Sequence, residues 1–271
     1  MIKSADMLNG DKNIKKLMPI QVSAVSALLQ KMFQKQLIGV YLYGSAVLGG
    51  LKHESDLDIL VVIKEYLSEA HRLTLTKRLL ELSGEIGDKN NRPLEVTIVS
   101  EHILTLTEKI PECEYMYGEW FRADIESGKI PQRYVEPDVI LLLFQARSSS
   151  IVLYGVPAEN LLPEIGFEKI NKAILHSLPA LMKTINGDER NVLLTLARMW
   201  YSLSSQKICP KDIAAYWAAE NVPEELAYLL IMAAEGYTGK IKDCWKDKTE
   251  ELNKLTDFLQ QKIKGFAQIS V

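Results

Sequence analysis

Tyr43-Gly44-Ser45-Ala46-Val47-Leu48-Gly49-Gly50, followed after four intervening residues by Ser55-Asp56-Leu57-Asp58-Ile59, is the stretch whose reading decides the fold. A β-rich run, Ile38 to Tyr43, leads into it, and a second apolar run, Ile59 to Ile63, leads out. A Gly-Ser turn leaving a strand presents backbone N–H groups and a hydroxyl, donors suited to a triphosphate. Residues two apart on a strand project to one face, so Asp56 and Asp58 converge as a hard-oxygen pair suited to a divalent cation such as Mg²⁺. A hairpin whose acids merely discourage edge pairing would account for the two aspartates but not for the Gly-Ser turn that feeds them.

A third acid lies in Leu94-Glu95-Val96-Thr97-Ile98-Val99, a strand announced by the loop Asp88-Lys89-Asn90-Asn91-Arg92-Pro93. A lone carboxylate in such apolar company costs stability unless it faces a polar site. Glu95 is therefore expected on a neighbouring strand, beside the two aspartates.

Outward from this core, Val22, Val25, Leu28, Leu29, Met32 and Phe33 recur at helical spacing, and Ser68 to about Leu82 reads as a second helix. Strands interleaved with helices predict a small α/β domain. From Asp138 onward the strand-like alternation gives way to helical stripes. Val139 to Phe144 opens a helix toward Arg147, and Val192, Leu193, Leu196, Met199 and Trp200 mark another. Pro210 and Pro223 stand where helices start, and Leu252, Leu255, Leu259, Ile263 and Phe266 stripe a terminal helix. The predicted architecture is an α/β domain over residues 1–156 and an all-α domain over 157–271, divided at Gly155-Val156-Pro157.

Composition sets the outer bounds. With 271 residues, 47% apolar and 25% charged, the chain reads as an ordinary globular protein of two domains, not a disordered or collagenous one. A net charge of −3 speaks against a general nucleic-acid binder, which needs a basic excess. Cys113, Cys209 and Cys244 are odd in number and widely spaced, so neither a disulfide framework nor a zinc site is expected. No apolar leader follows Met1, and the longest apolar run, Leu226 to Ala234, is about half of the roughly 18 residues a membrane span needs. A cytoplasmic protein without a membrane partner is the expectation. The four histidines are scattered, and only His53 lies near the acids.

A Gly-Ser turn, a spacer of ten residues, Asp-x-Asp and a later strand carboxylate together resemble the nucleotidyltransferase fold of the polymerase-β superfamily. Tyr117-Gly118-Glu119-Trp120, Gly187-Asp188-Glu189-Arg190-Asn191, Leu196-Ala197-Arg198-Met199-Trp200 and Pro210-Lys211-Asp212 resemble segments of the aminoglycoside adenylyltransferases that modify spectinomycin and, in some members, streptomycin. This resemblance runs from about Gly39 to Tyr237.

It implies an Mg²⁺-dependent transfer of AMP from ATP to the 9-hydroxyl of spectinomycin, a resistance activity, by a cytoplasmic monomer with no nucleic-acid partner. Gly44, Ser45 and Ser55 would hold phosphates, Asp56 and Asp58 the metal, and Glu95 would be the catalytic base. Asp138, Lys211 and Tyr237 match positions near the nucleotide. Trp120 and Asp188 match positions that contact the drug, and Glu119 would add negative charge for a cationic substrate. Each also has a plainer reading: Trp120 as core, Asp188 as a helix cap, Lys211 as a solvated first-turn lysine.

Two departures from the family stand out. Cys113 occupies the place of an Arg. Pro179 and Thr184 stand where members accepting both drugs carry Trp and Asp, the pair suited to stacking on a sugar and to pairing with a guanidinium. Spectinomycin has no guanidinium, so the implied activity is on spectinomycin and not on streptomycin. The rival readings are a nucleotidyltransferase of a toxin–antitoxin or RNA-modifying type, which would need a basic groove, and a non-catalytic nucleotide-binding module, which would have no need of all three acids.

Overall fold

The computed structural model describes residues 19–52, 55–85, 87–88, 90–105 and 111–266, and His53 lies outside them. The first helix, α1 (Ile20–Phe33), leads to strand β1 (Leu37–Tyr43), the Gly44–Ala46 turn and β2 (Leu57–Ile63). Then come α2 (Glu69–Leu82), β3 (Leu94–Ser100), the short strands β4 (Glu112–Cys113) and β5 (Tyr115–Tyr117), and the helix α3 (Arg122–Glu126). They are followed by β6 (Tyr134–Val135), α4 (Val139–Ser148), β7 (Ile151–Tyr154) and the short α5 (Ala158–Leu161). The rest of the described chain is helical: α6 (Phe167–Lys183), α7 (Glu189–Ser205), α8 (Lys211–Ala219), α9 (Glu224–Thr238) and α10 (Thr249–Gly265). An α/β first part and an all-α last part are thus the architecture.

Five strands form one mixed sheet in the order β5-β3-β2-β1-β7. β2 and β3 are parallel, joined by the crossover α2, and the other pairings are antiparallel. Period-2 alternation then assigns the faces. Leu57, Ile59, Val61 and Ile63 of β2 and Leu94, Val96 and Ile98 of β3 share one core with Val22, Val25 and Leu29 of α1 and Leu75 and Leu79 of α2. Leu60, Val62 and Val99, with Tyr41 and Tyr43 of β1, belong to a second cluster that continues without a break through α4, α6, α7, α8, α9 and α10. Asp58 and Glu95 share the parity of this second set and alternate with the first, so both carboxylates rise on the face that meets the helices.

Beneath the edge of the sheet, the buried Arg72 of α2 pairs with the buried Glu114, whose Oε1 also accepts a hydrogen bond from the Leu67 N–H at 2.7 Å. The contact ties α2 to the β4–β5 connection.

One expectation about organisation needs correction. β7 is a strand that lies after Asp138, in the region expected to be free of them. Ile151-Val152-Leu153-Tyr154 has no polar alternation to betray it, and its strand conformation comes from a partner over a hundred residues earlier, Val40 to Leu42 of β1. The helix α6 buries Ile170, Ala173, Ile174 and Leu178 at helical spacing and carries Pro179 inside it.

Candidate active site

The Gly-Ser turn is placed by its glycine. Gly44 has φ +66°, a left-handed conformation that glycine adopts without penalty, and a Cβ there would overlap the Asp58 carboxylate. Tyr43 is the cross-strand partner of Asp58, so the chain leaves β1 and folds directly over the acid. The N–H groups of Val47 and Leu48 both donate to the Gly44 carbonyl, at 3.1 and 2.8 Å, which closes the turn. The buried Ser45 hydroxyl has no hydrogen-bond partner among the described residues.

Parallel pairing sets Asp58 directly beside Glu95. Asp56 completes the group, and one ligand oxygen from each of the three carboxylates lies within 4.8 Å of the others. The geometry agrees with the expected place of Glu95, on a neighbouring strand beside the aspartates. Burial, then the charges of Asp56 and Glu95, push the Asp58 carboxyl well above the usual carboxylate range. Burial, then Asp56, pushes Glu95 up to about 7. The nearest opposing charges are Lys211 and Arg198, which lower both acids from the far side of the cleft. Three mutually repelling hard-oxygen donors on one point suit a small divalent cation such as Mg²⁺, whose charge would relieve that repulsion.

Other expected residues gather around this centre. Ser55 is buried; its hydroxyl accepts from the Lys52 N–H at 2.9 Å and lies 3.4 Å from the Tyr237 hydroxyl of α9. Arg92 fixes the loop from below by donating to the carbonyls of Ser55, at 2.8 Å, and Lys52, at 2.7 Å. Lys211, the first residue of α8, donates from Nζ to the Asn191 Oδ1 at 2.9 Å. Burial and the neighbouring Arg198 hold the Lys211 ammonium below its usual pKa, opposed by the three acids. Asp188 stands at the N-cap of α7, yet its side chain makes no capping bond to the backbone there; its Oδ2 accepts from the Asn191 Nδ2 at 3.1 Å.

Beside Glu95 opens a cavity of about 450 Å³, lined by Glu95, Met116, Trp120, Phe121, Tyr134, Glu136, Asp138 and Leu142. Trp120 is 57% exposed, so the core reading does not describe it. Its indole lies across Gly118, where any Cβ would fall into the ring. Asp138, at the N-cap of α4, is pushed up to about 6 by burial and by Glu136, and its Oδ1 is buried without a hydrogen-bond partner among the described residues.

Glu119 and Asp188 do not line this cavity. The Glu119 carboxylate is turned inward, accepting from Arg122 Nε at 2.5 Å, Tyr117 Oη at 2.9 Å and the Ser83 hydroxyl, and despite its burial these donors hold its pKa down. Cys113 is a buried core residue whose thiol donates to the Tyr115 carbonyl and is pushed up to about 12 by burial.

Glu136, Tyr134, Asn191 and Arg198 were not among the expected site residues. Asn191 and Arg198 lie seven apart on α7, hence on one helix face, a spacing that could have marked them together. Glu136 and Tyr134 have no such signal, because β4–β6 pairing brings them to the cavity.

The comparisons with known proteins fall on the same two parts. Residues 27–114 match the model of the polymerase-β nucleotidyltransferase family, and 160–262 match that of the aminoglycoside adenylyltransferase C-terminal domain. A spectinomycin 9-adenylyltransferase of Campylobacter jejuni is 44% identical over 90% of this chain and 95% of its own length. One from Staphylococcus aureus is 39% identical over the same shares. The spectinomycin adenyltransferase of Enterococcus faecalis, solved with ATP and spectinomycin, superposes with a TM-score of 0.85 at 36% identity, covering 90% of this chain and 98% of that one.

Proposed function

The chain belongs to the aminoglycoside adenylyltransferase family, and from that premise we propose that it transfers AMP from ATP to the 9-hydroxyl of spectinomycin and so confers resistance. The observation that carries the reading is the cavity lined on one side by Glu95, the member of the carboxylate trio that faces it, and on the other by the exposed ring of Trp120.

Asp56 and Asp58, with Glu95 beside them, would hold Mg²⁺, which supplies charge stabilisation at the phosphates and orients them. Ser45, whose hydroxyl has no partner among the described residues, and Ser55 donate to phosphate oxygens, and the Gly44 turn keeps the backbone close enough for them to reach. Lys211, with Tyr237 beside Ser55, meets the nucleotide from the helical side, and Asp138 bounds it at the cavity. The drug hydroxyl attacks the α-phosphorus in line, a new P–O bond forms as the bond to the β-phosphate bridge breaks, and pyrophosphate leaves. Glu95 takes the hydroxyl proton, a role that contributes roughly 10²–10⁴-fold when the base sits within hydrogen-bond reach.

Trp120 offers its ring to the apolar face of the fused-ring drug, and Asp188 approaches it from α7. Glu119 acts one step back, its inward ion pair fixing the turn that carries Trp120. Pro179 and Thr184, both exposed, supply neither a ring nor a carboxylate for streptomycin, so the activity is confined to spectinomycin. Residues 1–156 form the nucleotidyltransferase unit and 157–271 the helical unit that closes over it, in a cytoplasmic monomer without nucleic-acid or membrane partners. No helix among the described residues is long and apolar enough to cross a membrane.

Purified protein, Mg²⁺-ATP and a panel of aminocyclitols, followed by mass spectrometry, test the reading. A spectinomycin-plus-AMP product is expected, and turnover of none of the panel would return the chain to the RNA-modifying alternative.

A further inference from the structure

Asn191 sits between a cation and an anion that approach the cleft from different elements. Its Oδ1 accepts from Lys211 Nζ at 2.9 Å, and its Nδ2 donates to Asp188 Oδ2 at 3.1 Å. The two ends of a carboxamide are often interchangeable, but not here. An ammonium can only donate and a carboxylate can only accept, so the lysine takes the oxygen, the aspartate takes the NH₂, and the amide has one orientation. Lys211 in turn faces Asp56, Asp58 and Glu95. Two hydrogen bonds therefore link Lys211, which feels the charges of the three acids, through one amide to Asp188.

We infer that Asn191 is the positioning residue that couples nucleotide binding to drug binding, by setting the Asp188 carboxylate only while Lys211 is held in place. Without nucleotide, Lys211 is drawn toward three carboxylates that repel one another, and its bond to Asn191 competes with them. With the triphosphate and its cation in place, the acids are neutralised and Lys211 has a fixed anionic partner on the phosphate side. One of its three N–H donors then stays on Asn191, the amide is pinned, and Asp188 presents its remaining oxygen to the drug. Because coupling between two ligands is reciprocal, spectinomycin must tighten the nucleotide by the same factor. The inference rests on the proposed roles of Lys211 and Asp188.

Calorimetry with the intact protein, Mg²⁺ and a non-hydrolysable ATP analogue tests it, with spectinomycin titrated in the presence and absence of the analogue. The wild type should show a nucleotide-dependent gain in drug affinity. Asn191→Leu keeps the size and removes both hydrogen bonds, and at an exposed helix position it should fold normally. It should lose about ten- to 150-fold of that gain, the scale of hydrogen bonds to charged groups, while its affinity for the analogue alone changes less than about threefold. Asn191→Asp keeps the acceptor for Lys211 but sets a like charge against Asp188, so it should lose the gain as well. A gain unchanged in both variants, or a loss confined to the affinity for the analogue, overturns the inference while leaving the proposed function standing. A wild type that binds no spectinomycin with or without the analogue overturns the proposed function and this inference together.

Discussion

Replacing Glu95 by Gln should make a worse enzyme and a more stable protein. The carboxyl of Glu95 is pushed from its ordinary 4.5 to about 7 by burial and by Asp56. A raised carboxyl pKa means that the folded state holds the proton more tightly than the unfolded state. Ionisation therefore opposes folding: the penalty is absent below the unfolded value, grows between about 4.5 and 7, and is complete above that. At 1.36 kcal/mol per unit, the ceiling is about 3 kcal/mol at pH 8 and under about 1 kcal/mol at pH 5. Water in the adjoining cavity and relaxation of the coupled acids reduce this to about 1–2 kcal/mol at pH 8.

Gln keeps the shape and cannot ionise. For a protein of this size, melting shifts by roughly 2–4 °C per kcal/mol. In EDTA, Glu95→Gln should thus melt about 3–6 °C above the wild type at pH 8 and within about 2 °C of it at pH 5. Turnover with Mg²⁺-ATP and spectinomycin should fall by about 10²–10⁴. A melting gap that is the same at both pH values, or a wild type that is the more stable at pH 8, would refute the electrostatic account, and near wild-type turnover would refute the base.

Gly44→Ala should cost about 1–2 kcal/mol from its left-handed backbone alone, and its methyl group must also displace the Asp58 carboxylate, so calorimetry should find ATP binding weakened more than stability. Trp120→Ala removes an exposed ring, so the melting temperature should stay within about 2 °C while the KM for spectinomycin rises roughly tenfold; an unchanged KM would dismiss the platform. Expression in a susceptible bacterium should raise resistance to spectinomycin alone, and protection against streptomycin would show that other residues replace the pair missing at Pro179 and Thr184.

The cluster of three carboxylates is legible because its signals are local. Gly44-Ser45 and Asp56-x-Asp58 lie on one continuous stretch, and Glu95 betrays itself as a charge in an apolar strand. The opposing wall was less so. Lys211 and Tyr237 entered only through family resemblance, and Arg198 and Asn191 stood in the quoted family segments without a role, since helices packed against the sheet carry them there and no local pattern records that docking. Tyr134 and Glu136 reach the cavity through a two-residue ladder too short to leave a periodic trace. Glu119, expected to offer negative charge to a cationic substrate, is instead turned inward by Arg122, Tyr117 and Ser83, partners that its place in the Tyr-Gly-Glu-Trp segment does not reveal.

The two sides of the cleft also differ in how freely their sequence can change. Asp58 and Glu95 stand on strands whose adjoining residues are core on one face, while Leu60, Val62 and Val99 on their own face belong to the cluster that anchors the helices bearing Lys211 and Arg198. A substitution there disturbs packing on both sides of the chemistry at once. Trp120, Tyr134 and Glu136 stand instead on a single turn and a two-residue ladder at the surface, where side chains can be exchanged at little cost to the fold. Under pressure from altered antibiotics, new substrate range should therefore arise along this rim, while the phosphate-handling wall stays as it is.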